Sequence, residues 1–122
     1  MIEITYLKQK QLSLLRHLKV AGEKLFKLKI HDDLSPIGWH IIHCLYVECI
    51  WIRSQFLDDN ELVNKLRHTA DGINIKPKNR GLNLPNYECL YKLTRSEFKK
   101  NLIFIRNIKE KKKSKLFYTI FD

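Results

Sequence analysis

Glycine is scarce in this chain, with 4 residues, and proline scarcer, with 3. The glycines stand singly, so there is no glycine-rich loop to cradle a phosphate and no glycine-flanked serine elbow. The 3 cysteines (Cys44, Cys49, Cys89) are odd in number and irregularly spaced. They match neither a CxxC zinc pattern nor a disulfide framework, and their helical settings predict reduced, buried thiols. Beyond His40 beside Cys44, no cysteine has an activating neighbour in sequence. No apolar run reaches the length of a membrane span. Met1 to Thr5 has neither the basic flank nor the apolar region of a signal peptide. The expected location is the cytoplasm.

Acidic residues are also in short supply, 13 against 23 lysines and arginines, for a net charge of +10. Such a balance invites a nucleic-acid reading. The cations are mostly lysine, however, and are spread from Lys8 to Lys115. No helix carries the Arg/Asn/Gln cluster that reads base edges. Specific nucleic-acid binding is therefore not the expectation. A basic helical module that docks an acidic protein or a nucleic acid stands as the alternative function.

What is present fits one all-α domain: 122 residues, 44% hydrophobic and 30% charged. From Ile4 to Leu28, Leu7, Leu14, Leu18, Ala21, Leu25 and Leu28 recur at helical spacing. Gly22 interrupts this helix, and a close helix contact would explain it. Ser35 as N-cap and Pro36 at the first position predict a second helix running to Phe56. Its apolar character goes most of the way round, so it belongs at the centre. Asp58-Asp59-Asn60-Glu61 reads as a capping box for a short helix ending near Arg67. The stretch from His68 to Pro85 reads as a long loop, with a turn at Asp71-Gly72. From Asn86 to Lys112 a further helix carries the stripe Leu90, Leu93, Phe98, Leu102, Ile105 and Ile108, with Glu97, Lys99 and Lys100 away from it. After the charged turn 109–115, Leu116 to Phe121 opens a new apolar element.

The polar groups of the second helix are the chemical candidates. His40 and His43 are three residues apart, and His40 and Cys44 four, so their side chains are neighbours on the helix. Such a pair fills two corners of a metal site, which needs three or four ligands. The other reading is a histidine hydrogen-bonded in the core or at its rim. Glu48 is a possible carboxylate ligand. His17, His31 and His68 are scattered singly.

The stretch Ser35-Pro36-Ile37-Gly38-Trp39-His40-Ile41-Ile42-His43 resembles the start of the second helix in DinB-like four-helix bundles. The likeness is to the N-terminal domain of the ergothioneine-synthase (EgtB) type of non-haem iron sulfoxide synthase. That group has an S-P-x-x-W-x-x-x-H pattern whose histidine ligates iron. Arg80-Gly81-Leu82-Asn83-Leu84-Pro85 looks like the group's Arg-Gly…Pro loop, whose arginine helps hold the thiol substrate. The resemblance implies a DinB-type up-down bundle in which His43 is an Fe(II) ligand and Arg80 a substrate-binding residue. His40 and Cys44 are then packing residues. The group takes its other two ligands from an H-x-x-x-H type motif on the fourth helix. Leu116 to Phe121 looks like the start of that helix, but no histidine follows His68 in this sequence. The expectation is an incomplete metal site, without catalysis by this domain alone. A homodimer or a separately encoded remainder would complete it.

Overall fold

The computed structural model describes residues 4–112, all helices and connecting turns with no strand among them. Helix α1 spans Ile4–Leu25, α2 spans Ile37–Cys49, α3 spans Glu61–Ala70 and α4 spans Tyr87–Lys112. Helix α2 continues without a break into a π-helical stretch, Ile50–Phe56. A single 3-10 turn, Pro77–Asn79, interrupts the loop between α3 and α4. No described helix is long and apolar enough to cross a membrane.

The long helices α1, α2 and α4 form a bundle, with α3 laid on α2. Gln11 meets Phe98 while Lys19 meets Tyr91, so α1 and α4 run antiparallel. As its composition predicts, α2 is central and packs on all three of the others. Leu18, Ile41, Ile42, Leu45, Leu90 and Phe98 are fully enclosed in the main core. Ile52, Ile105 and Ile108 close the far end of the bundle against Ile4 and Leu7. Burying a side chain of this size stabilises by about 1.5–3 kcal/mol.

The ends of the elements depart from expectation in physically readable ways. Pro36, in extended backbone, takes the N-cap position, and α2 starts one residue later than expected. The Ser35 hydroxyl is turned to Arg80 rather than to the helix end. At α3 the cap position is Asn60, and it is Asp59 whose carboxylate accepts the Glu61 backbone N–H. Asn86 does cap α4, its Oδ1 taking the Cys89 N–H at 2.8 Å. Gly22 has φ +70° and no atom within 4 Å of where a Cβ would stand. A positive φ, not a close helix contact, is what the glycine supplies. It turns the chain so that Phe26 enters the core while Leu25 and Leu28 stay exposed.

Burial also corrects three expectations. Glu97 is buried, drawn inward by Arg53. Cys49 is buried, whereas Cys44 is half-buried and Cys89 exposed. His40 is exposed and is no core packing residue; it meets Trp39 edge-on from outside. The expected element from Leu116 to Phe121 lies outside the described residues.

Gly81 ties the long loop to the start of α2. It has φ +94°, and a Cβ there would come within 2.7 Å of the Pro36 ring. Gly81→Ala combines backbone strain with a clash and is expected to cost about 2 kcal/mol in urea unfolding. An unchanged midpoint would show that the loop is not held against Pro36.

Candidate functional site

Helix α3 is only ten residues long, and its last carbonyls have no partners within the helix. Helix α2 supplies two of them. Trp39 Nε1 donates to the Thr69 carbonyl at 3.0 Å, and His43 Nδ1 lies 2.7 Å from the Ala70 carbonyl. A carbonyl only accepts, so the proton sits on Nδ1. In the neutral ring the lone pair is then on Nε2. The imidazole stacks on the Trp39 indole, with centroids 4.6 Å apart and planes 12° apart. Gly72 lies against its edge, where a Cβ would stand 3.0 Å from Cε1. His43 is thus fixed in tautomer and ring plane by three neighbours.

Arg80 reaches the same indole from the loop. Its guanidinium carbon is 4.4 Å from the Trp39 ring centroid. Nε donates to the Ile75 carbonyl at 3.1 Å and Nη2 to the Gly72 carbonyl at 2.9 Å. Nη1 donates to Ser35 Oγ at 3.4 Å. Arg80 therefore closes the loop on itself and ties it to the beginning of α2. At the start of that loop, Asp71 Oδ1 accepts the Ile73 N–H at 2.9 Å and Oδ2 the Asn74 amide at 2.6 Å. The Ile73 N–H above all holds the Asp71 carboxyl below its ordinary value. This is the turn expected at Asp71-Gly72.

Together Trp39, His43, Asp71, Gly72 and Arg80 line an open cleft of about 570 Å³, with His40 at its edge. Burial, then the adjacent His43 and Arg80, lower the His40 pKa. The formal charges in the cleft are those of Arg80 and Asp71. The structure brings His43 and Arg80, the two site residues expected from sequence, into the lining of one space, each against the Trp39 ring.

His43 also opens onto a second groove, between α1 and α2, of about 550 Å³. Leu14, Cys44, Val47, Glu48 and Trp51 line it. Trp51 is 48% exposed, and Val47 is exposed beside it. This is the stripe from His40 to Trp51 on α2 and its continuation, left uncovered by the described helices. Burial, with Glu48 next to it, pushes the Cys44 thiol up, so the protonated thiol is favoured.

Below this groove is a polar network that sequence reasoning missed. Glu48 Oε1 accepts from Gln11 Nε2 at 2.9 Å and from Asn101 Nδ2 at 3.1 Å. Asn101 Oδ1 accepts from Arg53 Nε at 2.8 Å, and Arg53 Nη1 reaches Glu97 at 2.9 Å. The signal in the sequence was polar residues sitting on apolar stripes, Gln11 between Leu7 and Leu14, and Asn101 beside Leu102.

The described residues bring no three His, Cys, Asp or Glu side chains together as a metal cluster. In the cleft, His43 Nε2 is an imidazole nitrogen left free by the Nδ1 hydrogen bond to Ala70. Comparisons with protein-family models, curated proteins and solved structures return no match to this chain.

Proposed function

We propose that this chain is a DinB-like helical domain resembling the metal-binding half of the iron-dependent sulfoxide synthases. In this reading His43 contributes one ligand to Fe(II). The described residues supply too few ligands for a site of their own. The remaining ligands come from a second copy of the chain or from a separately encoded partner. A bound iron would supply oxygen-dependent oxidation of a thiol.

The observation that carries the reading is the convergence of Ser35, Trp39, His43 and Arg80. They are spread over the α2 start and a distant loop, yet His43 and Arg80 both lie against the Trp39 indole and Ser35 meets Arg80. What these residues do follows from their contacts. The Ala70 carbonyl keeps the His43 proton on Nδ1 and so directs Nε2 to any metal, the usual way a backbone acceptor orients a ligand histidine. Arg80 uses part of its donor fork on the loop; the rest, with its charge, would hold an anionic or thiol substrate in the cleft. The uncovered groove at Leu14, Val47 and Trp51, adjoining His43, is where a ligand-bearing helix from a partner would lie.

Anaerobic equilibrium dialysis with Fe(II) tests the metal assignment. The wild-type chain is expected to hold iron weakly and His43→Ala to lose that binding, whereas His40→Ala retains it. Equal iron in wild type and His43→Ala would remove His43 from the metal site. Because His43 also caps α3, its removal costs about 1 kcal/mol of stability, so each variant is checked for folding by circular dichroism first.

A further inference from the structure

On the face formed by α1 and α4 a third groove runs between the two helices, with a volume of about 550 Å³. Its walls carry five cations: Lys8, Arg16 and Lys19 from α1, and Arg95 and Lys99 from α4. No acid lines it. None of the five is ion-paired among the described residues. Lys19 rests over the Tyr91 ring at 5.8 Å instead. The floor is formed by Gln11, Leu12, Leu15, Phe98 and Leu102, mostly apolar, and of these Leu12 alone is left well exposed, at 49%.

The sequence spacing explains the arrangement. Lys8, Leu12, Leu15, Arg16 and Lys19 fall three or four apart on α1, as do Tyr91, Arg95, Phe98, Lys99 and Leu102 on α4, so each set shares one helix face. The helices are antiparallel, and the two faces meet edge to edge along the groove. From Lys8 to Lys19 its length is about 16 Å, or three helical turns.

Like charges held this close repel one another, and the folded state gains when an anion neutralises them. A half-exposed leucine between them asks for an apolar partner as well. We propose that the α1–α4 groove docks an acidic amphipathic helix of a partner protein. The partner's leucine-type side chains would rest on Leu12, and its carboxylates would pair with the lysines and arginines on either wall. A nucleic acid fits the charge but not the floor. A phosphate backbone brings no apolar stripe, and neither aromatic residue offers a free face for a base: Phe98 is buried and Tyr91 is already covered by Lys19. This surface is separate from the His43 cleft and does not depend on the metal reading.

Fluorescence anisotropy tests it with a labelled synthetic helix of about fourteen residues, glutamates on one face and leucines on the other. A scrambled peptide of the same composition and a DNA duplex serve as competitors. The amphipathic peptide is expected to bind about tenfold more tightly than the scrambled one, and more weakly as salt rises. The double reversal Lys19→Glu with Arg95→Glu is expected to weaken it about tenfold, and Leu12→Ser severalfold. Lys78→Glu, in the distant loop, is expected to leave it unchanged. The proposal is overturned by any of four results. These are no peptide binding at low salt, equal binding of the scrambled peptide, preference for the duplex, or indifference to the double reversal.

Discussion

Replacing Arg53 with alanine is expected to destabilise the fold by about 3–5 kcal/mol, more than any other single substitution considered. Arg53 is 5% exposed and gives its donors to three acceptors: Asn101 Oδ1, the Glu97 carboxylate and, at 3.2 Å, the Glu97 carbonyl. Its guanidinium also lies 5.2 Å from the Phe104 ring. Burial would raise the Glu97 carboxyl, but hydrogen bonds from Lys100 and from Arg53 outweigh it and hold the group below its ordinary value. Removing Arg53 leaves Glu97 charged, buried and short of its closest partner, and leaves Asn101 Oδ1 unpaired. Urea denaturation followed by circular dichroism measures the loss. The pair Arg53→Met with Glu97→Leu is expected to recover much of it, because the removed charges no longer need each other. A loss below about 1 kcal/mol for Arg53→Ala would mean that the ion pair is loosely held at the surface.

The second large effect has the opposite sign. Glu48→Gln is expected to stabilise the protein at pH 8 and to change little at pH 4. Burial pushes the Glu48 carboxyl up to about 7, against hydrogen bonds from Asn101 and Gln11 and the charge of Arg53. The folded state therefore holds a proton that the unfolded chain releases near the ordinary value of 4.5. Its contribution to stability is fully present below that ordinary value and is lost as pH rises through about 7. The difference between the two values corresponds to about 3 kcal/mol. Glutamine keeps the oxygen that Gln11 and Asn101 both donate to and has no charge to desolvate. Stability curves of wild type and variant should meet near pH 4, separate progressively between about pH 4.5 and 7, and run parallel above that. Curves parallel over the whole range, or a variant weaker relative to wild type at pH 8 than at pH 4, would show that Glu48 is not the group responsible.

Both effects come from residues that a reading of the sequence does not bring together. Gln11, Glu48, Arg53, Glu97 and Asn101 lie on three helices, and although Glu97 and Asn101 share a face of α4, no periodicity within one helix joins them to the other three. Glu97 reads as a surface residue in sequence because its neighbours Lys99 and Lys100 are charged. It is inside because the π-helical stretch Ile50–Phe56 holds both Ile52 and Arg53 inward. The central role of α2 was legible, since its apolar residues cover more than one face and three helices pack on it. The α4 stripe was legible for the same reason: Leu90, Phe98, Leu102, Ile105 and Ile108 are all buried. Of the site, His43 and Arg80 could be named in advance. The roles of Thr69 and Ala70 could not, because they are backbone acceptors at the end of a short helix and leave no side-chain signature.

His43 Nε2 is either presented to a metal or idle behind the structural role of its ring, and the functional reading depends on which. Nitrogen-15 NMR of the histidine side chains during titration with Zn(II), a diamagnetic stand-in for Fe(II), reads this atom directly. The His43 Nε2 resonance is expected to shift in weak binding while Nδ1 keeps its proton on the Ala70 carbonyl. A metal that shifts other histidines and leaves His43 Nε2 unmoved would contradict the metal assignment.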